Sequence, residues 1–488
     1  MFSVKTPKLV VLFSHIWWMS FFLLQQLSYG TVFALSIKVE YCSILLGLKM
    51  INDGKANRID LFNFKTAPMR AFHMTWIAFF LCFFAWFAAS PLMPVIRKEM
   101  ALTDSQIGNI IIASSATTIF ARLLIGWLAD KLGPRIVYTW LLALGSLPVV
   151  CLGFAKDYQS FLIFRLMIGA IGASFVLTQY HTTLMFSSRC VGTANATTAG
   201  WGNLGGGVTQ ILMPLIFSGF LFLGFSESIG WRLAMVIPGT MMFFGAFAYY
   251  YLTQDTPLGN FTDLAREGKG IPAGKAKGRL RDSIKDYRVL VLSAAYGASF
   301  GLEITVHNMA GLYFVDEFKM GLKEAGLIVG CFGLLALFAR TLGGWISDLI
   351  AVKGGIQGRA AVLGFFLLLE GVFLMLFSQA TPLPFAVTLL IIFGLFVHAC
   401  CGATYAIIPF INKKAVGSVA GIVGAGGNLG AVFSGFLFKG ALPWTSALLL
   451  LGVFATACSL LLLSLKFSKF KEEEISIYTD DLLAKVAG

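Results

Sequence analysis

From residue 72 onward the sequence is a succession of apolar stretches of about twenty residues or more, each closed by a short polar loop. A helix of that length spans the hydrocarbon core of a bilayer, and inside a bilayer only helices and closed barrels satisfy their own backbone. The stretches predict helices over 72–95, 106–128, 135–154, 159–186, 194–221, 231–252, 289–314, 324–349, 359–379, 384–410, 417–438 and 443–465. A polar segment, 254–288, divides them six and six. Only 12% of the 488 residues are charged, against about a quarter in soluble domains, and 57% are hydrophobic. Too little polar surface is available to cover such a chain in water. The expected fold class is an all-α membrane protein of twelve helices. Two pseudo-symmetric six-helix bundles occupy 72–253 and 289–466, joined by a cytoplasmic linker at 254–288 and followed by a cytoplasmic tail at 467–488.

The chain begins less regularly. Lys5 and Lys8 precede an apolar run from Leu9 to Leu24, and a second run follows from Tyr29 to Leu48. Residues 1–49 read as an uncleaved signal, as one or two added spans, or as sequence upstream of the working start. Residues 50–71 read as a cytoplasmic N-terminal segment. The formal charge of +13 needs no nucleic acid. Its positive residues gather on one side: Lys131, Arg135, Arg189, the linker's Arg266, Lys269, Lys275, Lys277, Arg279, Arg281, Lys285 and Arg288, then Lys353, Arg359, Lys413, Lys414 and the tail's Lys466, Lys469 and Lys471. Basic loops stay in the cytoplasm. That places a multi-pass protein in the cell membrane with both termini inside, provided that residues 1–49 do not add a single span. The eight cysteines are scattered without metal spacing and read as small core residues.

Within this frame one phrase is written twice. Phe120-Ala121-Arg122-Leu123-Leu124-Ile125-Gly126-Trp127-Leu128-Ala129-Asp130 returns as Phe338-Ala339-Arg340-Thr341-Leu342-Gly343-Gly344-Trp345-Ile346-Ser347-Asp348. Each arginine lies eight residues before its aspartate, about 12 Å of helix, so both guanidiniums reach toward the midplane. Burying each costs about 2.5–3.5 kcal/mol on insertion scales, and arginine cannot shed its proton. An anion must compensate, either a ligand or a protein carboxylate such as a buried Glu. Two rigid forks from opposite halves suit one small, planar oxyanion. The Gly-x3-Asp ends, with Asp130 and Asp348 near basic loop residues, read as conformational latches.

The duplication continues. Val191-Gly192-Thr193 leads to Gly202-Asn203-Leu204-Gly205, and Val416-Gly417-Ser418 leads to Gly427-Asn428-Leu429-Gly430. A duplicated six-span unit with a site at the repeat interface is how rocking secondary transporters are built. Gly202/Gly206 and Gly426/Gly430 are GxxxG pairs that let backbones approach. Asn203 and Asn428 can donate to an anion or bond a neighbouring helix. In the seventh span, Glu303 reads either as a proton carrier or as a static ion pair. His307, one turn on, can share its proton or simply hold a helix contact, and Glu370 is a second membrane carboxylate. Tyr296 and Phe300, also one turn apart, wall a cavity or merely pack.

Arg122 to Arg135, Arg-x3-Gly-Trp-Leu-Ala-Asp-Lys-x-Gly-x-Arg, resembles the loop motif of the major facilitator superfamily. Arg122 and Arg340, with Ala199-Gly200-Trp201-Gly202-Asn203-Leu204-Gly205-Gly206-Gly207 and Gly424-Ala425-Gly426-Gly427-Asn428-Leu429-Gly430, resemble its nitrate/nitrite porter family. The likeness covers about residues 55–465. It implies the twelve-helix major facilitator fold and transport of nitrate and nitrite, with the two arginines clamping the anion. It also places Tyr296 and Phe300 at positions like the family's cavity aromatics. Ser299-Phe300-Gly301-Leu302-Glu303-Ile304-Thr305 is more similar to the proton-coupled uptake branch than to the exchangers. The second loop departs from the pattern, with Lys353-Gly354-Gly355 inserted before Arg359, which puts its latch geometry in question.

The expectation is a secondary active transporter, not an enzyme: no nucleophile pattern, metal cluster or cofactor motif is legible. It moves nitrate, and nitrite, by alternating access as a monomer in the lipid bilayer, most simply as a proton symporter. The alternatives are a nitrate/nitrite antiporter or another small-anion carrier of the superfamily. An anion channel needs no rocking duplicated fold and would show single-channel currents, and a substrate-sensing receptor on the same fold would bind without net flux.

Overall fold

The structure is a computed structural model describing residues 54–187, 190–268, 283–411, 416–440 and 442–467. The expectations for residues 1–49 lie outside them, as do those for Arg189, Lys269, Lys275, Lys277, Arg279, Arg281, Lys413, Lys414, Lys469 and Lys471. Among the described residues, twelve helical segments are long and apolar enough to cross a membrane. The first six are α1 (Ala67–Met100), α2 (Asp104–Leu132), α3 (Pro134–Leu152), α4 (Tyr158–Met185), α5 (Thr193–Phe222) and α6 (Glu227–Leu252). The second six are α7 (Tyr287–Phe318), α8 (Leu322–Ala351), α9 (Lys353–Ser378), α10 (Leu383–Ile408), α11 (Ser418–Lys439) and α12 (Trp444–Ser464). Large apolar side chains face outward, among them Phe120, Phe222 and Leu463, as lipid-facing helices require.

Several helices outrun the apolar stretch that announces them. α1 begins at Ala67 rather than 72, and α9 at Lys353 rather than 359, because polar residues at the interface continue a helix once it is nucleated. Polar caps set the starts. Thr103 and Gln106 exchange side-chain and backbone bonds at the head of α2, and Asp157 and Ser160 do the same at α4. Such reciprocal capping satisfies amides that the helix leaves unpaired. Pro134 opens α3, where a missing N–H costs nothing. The insertion between α8 and α9 leaves helical hydrogen bonding nearly continuous and bends it at Gly355, whose φ of 56° and ψ of −148° belong to glycine territory.

α1 and α7 are the most enclosed helices, with 83% and 78% of their apolar windows buried. They are therefore the ones that line the molecular axis. Around them the bundles meet along α2 against α11 and α5 against α8. These seams are cut from glycine. A Cβ on Gly207 would stand 2.7 Å from the Gly333 carbonyl carbon, and one on Gly108 2.5 Å from the Lys439 Cα. The crowding fades toward the end where the linker leaves: Gly200 meets only the Ala336 oxygen at 3.6 Å, and Gly421 meets nothing within 4 Å. The bundles therefore touch at the end far from the linker and part toward it. Arg97 on α1 adds an ion pair to Asp316 on α7 (2.6 Å) at that far end.

Candidate functional site

At the level where the seams loosen, α7 turns a stacked aromatic pair toward the axis. Tyr296 and Phe300 lie one turn apart with centroids 5.0 Å apart and planes 9° from parallel. Gly427 of α11 sits against both rings, where a Cβ would come within 2.8 Å of Tyr296 and 2.7 Å of Phe300. The duplicated arginines arrive from the two bundles: the guanidinium carbons of Arg122 (α2) and Arg340 (α8) each lie 5.8 Å from the Phe300 centroid. Phe175 of α4 lies 5.6 Å from Arg122, and Tyr405 of α10 packs edge-on to both Phe175 and Tyr296. The result is an aromatic chamber holding two permanent positive charges.

The two charges are compensated differently. Arg340 Nη2 donates to both Glu303 oxygens, at 2.7 and 2.6 Å, in a pair 9% and 2% exposed. Of the two readings open for Glu303, this conformation shows the ion pair. Arg122 is 5% exposed and forms no ion pair among the described residues; its Nη1 donates to the Gly424 carbonyl of α11 at 2.6 Å. The Nε of each arginine is buried without a partner. A neutral carbonyl offsets a guanidinium far less than a carboxylate does, so the first bundle presents an under-compensated cation.

A histidine does face Glu303, but it is His398 rather than His307. His398 Nδ1 lies 3.5 Å from Glu303 Oε2, and its Nε2 is 3.2 Å from the Phe332 carbonyl. A carbonyl can only accept, so Nε2 carries a hydrogen; Nδ1 then faces the carboxylate with a lone pair when the ring is neutral and with an N–H when it is charged. One proton can therefore lie between His398 Nδ1 and Glu303 Oε2. The Cys401 thiol donates to the same Oε2 at 3.6 Å. His307 instead packs between Phe87 and Phe332, 5.0 and 5.5 Å between centroids, with Nδ1 unpartnered.

The remaining predicted residues divide. Asn428 Nδ2 donates to Gly424 O at 3.1 Å, so it shares an acceptor with Arg122 and joins the site indirectly. Asn203 is buried with Oδ1 unpartnered and makes no hydrogen bond to either arginine. Glu370 is fully buried on α9 and forms no ion pair among the described residues. The glycines pack: Gly202 against Phe79, Gly206 against His307 and Phe87, Gly426 against Ser293, Gly430 against the Gly297 carbonyl.

The two Gly-x3-Asp ends are partnered differently. Asp348 pairs with Arg359 despite the insertion. Asp130 forms no ion pair among the described residues, and the corresponding anchor is Asp255 at the head of the linker. Asp255 accepts from the backbone N of Arg135 (2.8 Å) and of Phe261 (3.0 Å), capping α3 and the short helix Phe261–Arg266. Burial pushes its carboxyl up, against the pull of those two bonds. Gly133, at φ 88°, leaves room that a side chain would take from that carboxylate.

Sequence reasoning missed Phe175, Tyr405, His398 and Arg165. Nothing distinguishes the two aromatics among 46 Phe and 13 Tyr. Arg165 had a signal, an arginine inside the apolar run Phe161–Gly169, but no second copy of it in the other half.

The description Major Facilitator Superfamily matches the chain at residues 75–409 and again at 292–476. The chain is 38% identical over 411 residues to the High affinity nitrate transporter 2.5 of Arabidopsis thaliana, covering 84% of this chain and 82% of that one. It is also 38% identical over 400 residues to the Nitrate transporter 2.1 of Chlamydomonas reinhardtii, covering 80% and 72%. Among solved structures, an inward-facing, unoccupied bacterial homolog of the human lysosomal transporter Spinster superposes with a TM-score of 0.61 at 17% identity. That likeness covers 86% of this chain and 98% of that one, and concerns the fold alone. With the duplicated arginines, the glycine seams and these relatives together, the chain belongs to the nitrate/nitrite porter family of the major facilitator superfamily.

Proposed function

We propose that this protein carries nitrate, and nitrite, across the cell membrane by alternating access, as a monomer driven by co-transported protons. The observation that carries the reading is the pair of guanidiniums, one from each bundle, on the same Phe300 ring. A small planar anion between them ties the bundles together, which is what an alternating-access carrier needs from its cargo. Relatives named for nitrate support that cargo. The basic loops support a cytoplasmic linker end, so the far end faces outward.

The asymmetry of the site supports proton coupling. Nitrate stays deprotonated, so the driving proton needs a protein group. In this conformation Glu303 competes with any anion for Arg340. A proton shared between Glu303 and His398 neutralises the carboxylate and releases Arg340 to the anion. Arg122, with no carboxylate partner among the described residues, attracts the anion first. Exchange is the second reading, favoured by the same under-compensated Arg122: an unneutralised buried cation opposes closure of the empty carrier.

The test is uptake of labelled nitrate into proteoliposomes with an imposed inward proton gradient and empty or nitrite-loaded lumens. Uptake into empty vesicles that rises with the gradient is expected. Uptake only into nitrite-loaded vesicles, indifferent to the gradient, replaces symport with exchange. No labelled uptake in either overturns nitrate as the cargo.

A further inference from the structure

Above the central chamber, toward the far end, three donors from the first bundle converge on one oxygen of the second. Arg165 Nη2 (α4), Ser90 Oγ (α1) and Ser114 Oγ (α2) donate to Asn308 Oδ1 (α7) at 3.0, 3.2 and 3.3 Å. The amide is oriented by its own nitrogen, which donates to Ile304 O at 2.9 Å. Arg165 is 1% exposed. Its Nη1 donates to Trp86 O at 2.8 Å, its Nε has no partner, and it forms no ion pair among the described residues. Here a third permanent charge is buried against neutral dipoles alone.

We infer that Arg165, Ser90 and Ser114 form a second oxyanion site, on the route from the far end to the Arg122/Arg340 chamber, which Asn308 plugs in this conformation. The inference rests on the anion-carrier reading above. The donors all belong to one bundle and their acceptor to the other. Rocking that opens the far end carries Asn308 away with α7 and leaves three convergent donors around an oxygen-sized position. Asn308 Oδ1, a neutral amide oxygen, stands where an oxygen of the anion would sit. An anionic oxygen is the better acceptor for a guanidinium and two hydroxyls. The position also suits a staging post. Ser114 precedes Arg122 by eight residues on α2, and Asn308 follows Phe300 by eight on α7, so the site lies about 12 Å along the helices from the chamber. An incoming anion replaces the acceptor that opening removes, which lowers the cost of exposing Arg165 and links opening to anion arrival.

The experiment compares nitrate KM from the far side and from the linker side, using the reconstituted full chain in vesicles of known orientation. Arg165→Gln keeps a polar N–H donor at the position but removes the charge. We expect the far-side KM to rise about tenfold or more, the scale of one lost charge-assisted hydrogen bond, with the linker-side KM nearly unchanged. An unchanged far-side KM overturns the site, as does an equal change on both sides, which would mark a merely structural arginine. Should Arg165→Gln not fold, Asn308→Asp decides. A carboxylate plugging the donors is expected to slow far-side uptake while leaving nitrate binding from the linker side intact; undiminished far-side uptake overturns the proposal. A wild type that moves another anion but not nitrate sinks the cargo assignment alone, and the same comparison with that anion still decides the second site.

Discussion

Arg122 and Arg340 occupy equivalent places in the repeat and carry the same charge, yet among the described residues only Arg340 pairs with a carboxylate. This difference makes single substitutions diagnostic. Glu303→Gln leaves Arg340 buried without its counter-ion, a loss that costs about 3–5 kcal/mol when a buried pair is broken. Nitrate can replace the missing charge. The variant is therefore expected to melt at lower temperature than wild type without anion, to gain more stability from added nitrate, and to lose proton-driven uptake. A thermal-shift titration with parallel flux assays checks this; an equal nitrate response and unaltered gradient dependence would remove Glu303 from the coupling. Arg122→Lys retains the charge but not the fork. It is expected to abolish transport while the protein still inserts, and normal activity would sink the clamp.

At the scale of elements, glycines govern how close the helices come, inside a bundle as well as along the seams between the two. Gly430 of α11 lies on the Gly297 carbonyl of α7, whereas Gly421, on the same helix nearer the linker, faces open space. Gly430→Ala forces backbones apart, and overpacking of this kind costs about 1–3 kcal/mol. It is expected to lower both the melting temperature and the transport rate. Gly421→Ala meets nothing and improves helix propensity, so it is expected to leave the melting temperature unchanged or slightly raised. Comparing the two melts separates α7–α11 packing from a general intolerance of α11 to substitution.

For the whole molecule, the contacts between bundles gather at one end. Arg97 to Asp316, Gln210 Nε2 to the His307 carbonyl (2.7 Å) and the Asn308 cluster hold the far end shut. Cysteines at positions 97 and 316 joined by a short bifunctional thiol-reactive reagent such as a bis-maleimide are expected to arrest transport, with nitrate binding from the linker side preserved. Continued uptake after complete cross-linking would show that this end need not open. The halves also divide their labour: Glu303, His398 and Glu370 lie in the second bundle, while Arg122 and Arg165, in the first, form no ion pair among the described residues.

Length and hydropathy alone determined the twelve helices, because a bilayer accepts few solutions to the backbone hydrogen-bond problem. The repeated Arg-x3-Gly-x3-Asp phrase likewise put two arginines at one depth, where both reach the Phe300 ring, since helical spacing fixes depth along a span. Rotation about the helix axis and the choice of neighbour are not written in a local pattern, and here they decided the chemistry. They set Glu303 against Arg340 and His398 rather than His307, left Arg122 facing a carbonyl, and gave the Arg135 backbone to Asp255 rather than Asp130. Ion pairs between helices depend on which faces meet once two bundles pack, and only the tertiary arrangement specifies that.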